Sequence, residues 1–116
     1  MESLRWTDPQ CPVARAVDLV GDKWSLLILR DAFDGARSFT EFHRRLGVAR
    51  NILTERLRKL TECGVLAHQV AESGKRREYV LTDSGHDLLV AIVALRQWGA
   101  SCLRTGREPL HARRRH

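Results

Sequence analysis

The chain has 116 residues, of which 43% are hydrophobic and 29% charged, and its net charge is +6. This length and balance are typical of one globular domain, and no apolar run approaches the roughly 20 residues that span a bilayer. The polar first ten residues lack the apolar segment of a secretion signal. Three widely spaced cysteines indicate neither a disulfide framework nor a zinc site. We therefore expect a cytoplasmic protein with no cofactor, no metal and no membrane attachment.

The positive charge is concentrated in two segments. Residues 104–116 carry five arginines against one glutamate, and residues 37–59 carry seven basic groups against two acidic ones. Residues 1–34, in contrast, have a net charge of −2. A basic segment inside a nearly balanced domain is typical of a phosphate-binding face. Taken alone, however, such a run is also compatible with an ordinary solvated surface.

Two helices are predicted near the N-terminus. The first opens at Cys11-Pro12, because proline suits the first helical position, and it ends at Gly21. Asp22 can cap the second helix, over about residues 23–33. This helix is apolar nearly all round and is therefore predicted to lie in the centre of the core.

Two further helices are separated by a turn at Gly47-Val48. The first of them, preceded by Ser38, has the pattern of a capping box with Glu41, although Thr40 could equally be the cap. The second runs from about residue 50 to 63 and stops at Gly64, a typical C-terminal glycine.

A hairpin and a long helix complete the pattern. The predicted strands are residues 65–70 and 77–81, and the helix follows over about 83–103. Short helices joined by a glycine turn and followed by a hairpin predict a mainly α fold of the winged helix-turn-helix type. We expect this domain to occupy residues 11–104, between a flexible arm (1–10) and a disordered basic tail (105–116).

The helix over residues 50–63 has two distinct faces. At 100° per residue, Leu53, Leu57 and Leu60 share one face, whereas Arg56 falls on the inward side, where we expect it to pair with a carboxylate. The opposite face, near the helix start, carries side chains that can read base edges in a DNA groove: Arg50, Asn51, Thr54, Glu55 and Arg58. An ordinary amphipathic surface helix would show the same polarity, so the pattern by itself leaves both interpretations open.

Further residues are predicted to contact the DNA backbone. Such contacts position a protein on DNA and make its affinity salt-dependent without reading sequence. The candidates lie on the two central helices and beside the hairpin turn: Thr40, Arg44, Arg45, Lys59, Lys75, Arg76 and Arg77.

The last helix carries two neighbouring apolar rows with 4-3-4-3 spacing. One row suffices to dock a helix on its own core, so two rows indicate a second apolar partner, and we expect the same helix of another subunit. The alternative is a helix inserted deep into its own domain. The predicted contacts of this helix are Leu88, Ile92, Leu95, Trp98, Gly99 and Cys102.

Several motifs together resemble the HxlR-type transcriptional regulators, a family with a MarR-like winged helix. The motifs are Gly21-Asp22-Lys23-Trp24, Phe39-Thr40-Glu41-Phe42, the stretch from Leu53 to Leu60, Cys63-Gly64-Val65-Leu66 and the stretch from Glu78 to Thr82. The resemblance covers about residues 10–100 and implies a homodimeric bacterial regulator that binds double-stranded DNA. It also implies dimer contacts from the first helix, which adds Val13 and Val17, and it departs from the family at Ala49, where a serine or threonine is common.

The resemblance also implies a role for Cys11, because some members sense electrophiles or oxidants through a cysteine at this position. A helix N-terminus favours the thiolate form, and we hypothesise that oxidation of Cys11 weakens operator binding. The alternative is a small capping or packing residue. Cys63 is predicted to lie in the core, and Cys102 is a weaker candidate for a disulfide partner of Cys11.

Two other classes of function remain as alternatives. An enzyme would need a metal site or a nucleophile with a base, whereas the five histidines are scattered without ligand spacing. A winged helix that binds protein or RNA instead of duplex DNA would share all the features above.

Overall fold

The computed structural model describes residues 10–105. The elements in chain order are α1 (Pro12–Val20), α2 (Lys23–Phe33), α3 (Phe39–Leu46), α4 (Arg50–Glu62), β1 (Leu66–Val70), β2 (Arg77–Leu81), α5 (Asp83–Asp87) and α6 (Leu89–Thr105). The predicted arm up to residue 9 and the predicted tail from residue 106 lie outside the described residues. The predicted mainly α fold with a hairpin is confirmed.

Side-chain caps set where the central helices begin. The Asp22 carboxylate accepts the backbone N–H of Ser25 at 3.0 Å at the start of α2. At the start of α3, the Ser38 hydroxyl accepts the N–H of Glu41 at 3.1 Å, and the Glu41 carboxylate accepts the N–H of Ser38 at 3.0 Å. Ser38 rather than Thr40 is therefore the cap, and the reciprocal pair forms the predicted capping box.

The core forms between α2, α3 and α4. Its fully buried side chains are Ile28, Leu29, Phe42, Leu53, Leu57, Leu60 and Leu66. Burial of this size contributes roughly 1.5–3 kcal/mol for each large apolar side chain. The central position of α2 is confirmed, but α2 also buries two polar side chains completely, Ser25 and Asp31, which the apolar pattern did not predict.

The hairpin is antiparallel, with Leu66 opposite Leu81 and Val70 opposite Arg77. The Tyr79 N–H donates to the Arg37 carbonyl at 2.7 Å, which joins β2 to the segment before α3. The first strand begins one residue later than predicted. Val65 is not in the strand because its N–H bonds to the Leu60 carbonyl of α4, at 3.0 Å, instead of to the opposite strand.

The single last helix predicted over 83–103 is wrong. A short α5 ends at Asp87, and Leu88 lies in a turn before α6 begins. The Leu88 N–H bonds to the Gly85 carbonyl, three residues back, at 3.1 Å. This tighter turn interrupts the helix while the Leu88 side chain packs against the core. Within the described part of the chain, no helix is both long and apolar enough for a membrane crossing.

Candidate nucleic-acid interface

Helix α4 buries one face and presents the other to solvent. Leu53, Leu57 and Leu60 are fully buried, which fixes the rotation of α4 about its own axis. The opposite face is exposed at all the residues predicted to read bases: Arg50, Asn51, Thr54, Glu55 and Arg58. The structure therefore brings these five side chains together on one accessible surface, as a recognition helix requires.

A three-residue turn joins α3 to α4. Gly47 ends α3 in the left-handed conformation with φ of 66°, which glycine adopts without steric cost. Val48 is buried, and Ala49 occupies the N-cap of α4 without a side-chain hydrogen bond. Helix α4 thus begins without a side-chain cap, whereas Asp22 caps α2 with its carboxylate and Ser38 and Thr82 cap α3 and α5 with their hydroxyls.

Two of the exposed arginines on α4 have partners at the surface. The Arg50 guanidinium lies 5.6 Å from the Phe39 ring centroid, a cation–π contact. Arg58 donates to both carboxylate oxygens of Glu62, at 3.0 and 2.9 Å. An exposed ion pair of this kind stabilises a protein by about 1 kcal/mol or less, so Arg58 can exchange Glu62 for another acceptor at little cost.

Arg56 and Lys59, on the flank of α4, converge on Asp22. The Arg56 Nε lies 3.0 Å from one oxygen of the carboxylate, and the Lys59 Nζ lies 3.5 Å from the other. The predicted pairing of Arg56 with a carboxylate is confirmed. Lys59, predicted as a phosphate contact, does not extend freely into solvent, because Asp22 holds its ammonium group.

The Asp22 carboxyl is a stronger acid than an ordinary aspartate. Burial raises its pKa, but the hydrogen bonds from Ser25 and the charges of Lys59 and Arg56 outweigh that effect. The pKa therefore lies below its ordinary value, and Asp22 carries its negative charge throughout the neutral range.

The basic residues of α3 differ in whether an acidic side chain holds them. Arg44 is exposed, and Thr40 is exposed in the first turn of the helix. The Arg45 Nε lies 3.3 Å from the fully buried Asp31, and its Nη2 lies 2.9 Å from Asp34. Arg45 is therefore held beside α2 and is not a freely extended phosphate contact.

The wing is the loop between β1 and β2. Gly74 adopts a φ of 75° there, and Lys75, Arg76 and Arg77 are all exposed. The pKa of Glu41 is lowered, chiefly by the N–H groups of Ser38 and Arg37 and to a smaller extent by the charge of Arg76. The wing thus extends positive charge toward the same side of the molecule as the start of α3.

Helices α1 and α6 each expose large apolar side chains. Val13 is 71% exposed, Leu95 52% and Trp98 61%. Leu88, in the turn before α6, and Ile92 pack against the chain's own core instead, so the alternative of a helix docked on its own domain applies at these two residues. The large apolar residues exposed on α1 and α6 are Val13, Val17, Leu19, Leu89, Val90, Val93, Leu95, Trp98 and Leu103. The sequence patterns missed Leu19 and Val90.

The three cysteines are free thiols, all partly buried. Cys11 is the N-cap of α1, where its sulfur accepts the Ala14 N–H at 3.4 Å. Cys63 packs against the core, and Gly99 and Cys102 are partly buried on α6. Among the described residues, no group of three His, Cys, Asp or Glu side chains is placed to hold a metal ion.

The comparisons with known proteins agree with this arrangement. A family model described as HxlR-like helix-turn-helix matches residues 19–107. An uncharacterized HTH-type transcriptional regulator of Mycobacterium tuberculosis is 50% identical over 88 residues, which are 75% of this chain and 56% of that protein. The chain thus spans about half the length of the curated relatives it matches first.

Solved structures match the fold. The crystal structure of PA1607 has a TM-score of 0.78 at 53% identity, over 82% of this chain and 67% of that one. The redox regulator HypR in its reduced form has a TM-score of 0.73 at 30% identity, over 79% of this chain and 93% of that one. The relatives that carry a functional description are regulators of transcription rather than enzymes.

Proposed function

The chain belongs to the HxlR-like helix-turn-helix family, and from this membership we infer that it regulates transcription by binding duplex DNA as a homodimer at a palindromic operator. The observation that carries the proposal is the exposed face of α4, which combines Asn51, Thr54 and Arg58 on a helix whose leucines are fully buried. These side-chain types match the hydrogen-bonding edges of bases in the major groove. Arg44 and the wing residues 75–77 would then contact phosphates.

The binding surface is tested by selecting operators from random duplexes with the purified protein. Asn51→Ala is expected to weaken binding to the selected duplex by about tenfold, since one good bidentate base contact is worth roughly 1–3 kcal/mol. Gln97→Ala is the matched control, because it removes the same kind of exposed amide from α6. Equal affinity of Asn51→Ala and the parent protein, or tighter binding to single-stranded RNA than to duplex, would contradict the proposal.

The dimer is proposed to form through α1 and α6. A single recognition helix contacts only one half-site, and a two-fold dimer doubles the contacts. Val17→Glu places a charge on the exposed α1 surface and is expected to convert dimer to monomer in analytical ultracentrifugation. Val70→Glu on the hairpin is the control, because the parent valines are similarly exposed, 47% and 53% respectively. Unchanged dimerisation of Val17→Glu would exclude α1 from the interface.

We further propose that Cys11 makes binding responsive to oxidants. HypR, at 30% identity, is described as a redox regulator, and Cys11 is a free thiol at the N-cap of α1, where its sulfur accepts the Ala14 N–H at 3.4 Å. Diamide would accept two electrons and two protons as the Cys11 sulfur bonds to that of a second cysteine. The parent is expected to release its operator after diamide treatment, and Cys11→Ser to retain it. If Cys11→Ser releases its operator as the parent does, the sensor is another residue. Cys63→Ser and Cys102→Ser serve as comparisons.

A further inference from the structure

The Asp22 carboxylate lies where α1, α2 and α4 meet. It caps α2, accepting the Ser25 N–H at 3.0 Å and the Ser25 hydroxyl at 2.7 Å. The same two oxygens receive Arg56 and Lys59 from α4. One side chain therefore connects the start of α2 to the flank of the recognition helix, across 34 residues of sequence.

Two ion pairs on α4 reinforce the position that the core gives this helix. Leu53, Leu57 and Leu60 pack one face of α4 into the core, and the ion pairs lie on its flank. Arg56 and Lys59 are one helical turn apart and each meets a different oxygen of Asp22, so together they fix the axial position of α4. Their side chains are 28% and 35% exposed, so solvent screens these pairs less than the outer pair of Arg58 with Glu62, which are 58% and 65% exposed.

Asp22 is also rigidly placed relative to α1. The preceding Gly21 ends α1 with its N–H bonded to the Val17 carbonyl at 2.9 Å. A Cβ atom on Gly21 would lie 2.7 Å from both the Cα and the carbonyl oxygen of Val17, so the chain turns tightly against the last turns of α1. Val17 belongs to the surface proposed for dimer contact, and the path from that surface to α4 therefore passes through Gly21 and Asp22.

We propose that Asp22 is a positioning residue that sets the separation of the two recognition helices in the dimer, and with it the half-site spacing that the protein accepts. This inference rests on the proposed function, because it needs a DNA-binding dimer. Half-site spacing follows from dimer geometry. A carboxylate that fixes α4 relative to α1 therefore acts on specificity without touching DNA.

Asp22→Asn tests the charge while keeping the cap, because asparagine is as good an N-cap as aspartate. Asp87→Asn is the matched control, since it makes the same chemical change at an exposed carboxylate of α5 and leaves α4 untouched. Both variants are measured against the selected operator, against operators with one base pair added or removed between half-sites, and against unrelated duplex DNA.

We expect Asp22→Asn to bind the selected operator about tenfold more weakly than Asp87→Asn does, and to lose most of the preference for the correct spacing. Binding of Asp22→Asn to unrelated DNA should not weaken, because the substitution removes a negative charge beside Arg56 and Lys59. A merely structural role for Asp22 would lower the melting temperature without changing the spacing preference. Parent-like spacing preference in Asp22→Asn overturns the inference while leaving the proposed function intact.

Arg56→Gln tests the same inference independently. It breaks the contact between Arg56 and Asp22 from the α4 side and leaves the cap of α2 untouched. The Asp22→Asn/Arg56→Gln double variant should lose no more spacing preference than either single variant, since residues that act through one contact are not additive. Additive losses would overturn the inference. If the parent protein binds no duplex DNA, the proposed function and this inference fail together.

Discussion

Gly85 in the first turn of α5 is a position where one added methyl group should be costly. A Cβ atom there would overlap the Val65 carbonyl oxygen and lie 3.0 Å from the Leu81 Cδ2. Carbon–oxygen contacts normally need about 3.3–3.6 Å, so α5 would have to move by roughly an ångström. The movement would disturb two bonds, the one that the Thr82 N–H donates to the Val65 carbonyl and the one that the Gly85 N–H donates to the Thr82 hydroxyl, both 3.1 Å long.

The cost of Gly85→Ala can be built from these contacts. Two weakened hydrogen bonds lose about 0.5–1.5 kcal/mol each, and the overlap costs about 1–3 kcal/mol. The better helix propensity of alanine offsets up to about 1 kcal/mol of this loss. We expect a net loss of about 3 kcal/mol, which corresponds to a melting temperature lower by roughly 12–24 °C.

Thermal and urea unfolding followed by circular dichroism measures this loss, at one fixed protein concentration because the proposed dimer would make stability depend on concentration. Ser84→Ala is the control, since Ser84 is the exposed neighbour in the same turn and its substitution adds no atom near Val65. The control should stay within about 0.5 kcal/mol of the parent. A Gly85→Ala protein as stable as the control would refute the packing argument.

Three further predictions concern α4 and its anchors. Ala49→Ser supplies the missing cap of α4 and should raise the urea midpoint by an amount equivalent to about 1 kcal/mol, whereas Ala94→Ser on the exposed face of α6 should not. Leu57→Ala removes a fully buried side chain and should cost about 2–5 kcal/mol in the same assay, with a cost below 1 kcal/mol contradicting the assigned core. Asp22 and Glu41 both have lowered pKa values in the folded protein, so their stabilisation is complete above the ordinary carboxylate range, about pH 4–5, and is lost as the pH falls through their folded pKa values. Urea unfolding from pH 7 to 3 should therefore show a steeper loss for the parent than for Asp22→Asn, and parallel curves would exclude the Asp22 contribution.

The elements that sequence patterns predicted well are those with strong local signals. The caps at Asp22 and Ser38 act within three residues, and the leucine row of α4 repeats with the period of the helix. These features depend on neighbouring residues alone, so the start of α2, the capping box of α3 and the buried face of α4 could be predicted. The break at Leu88 could not, because it results from packing against a core assembled from distant elements.

The sequence alone therefore determined the order of the helices, the hairpin and the face of α4 that Asn51, Thr54 and Arg58 share. Only the tertiary structure decided which charges are free and which are held. Asp22 meets Arg56 across 34 residues, and Asp31 meets Arg45 across 14. Such pairs form where the core brings distant helices together. A periodic pattern among neighbouring residues does not identify the partner.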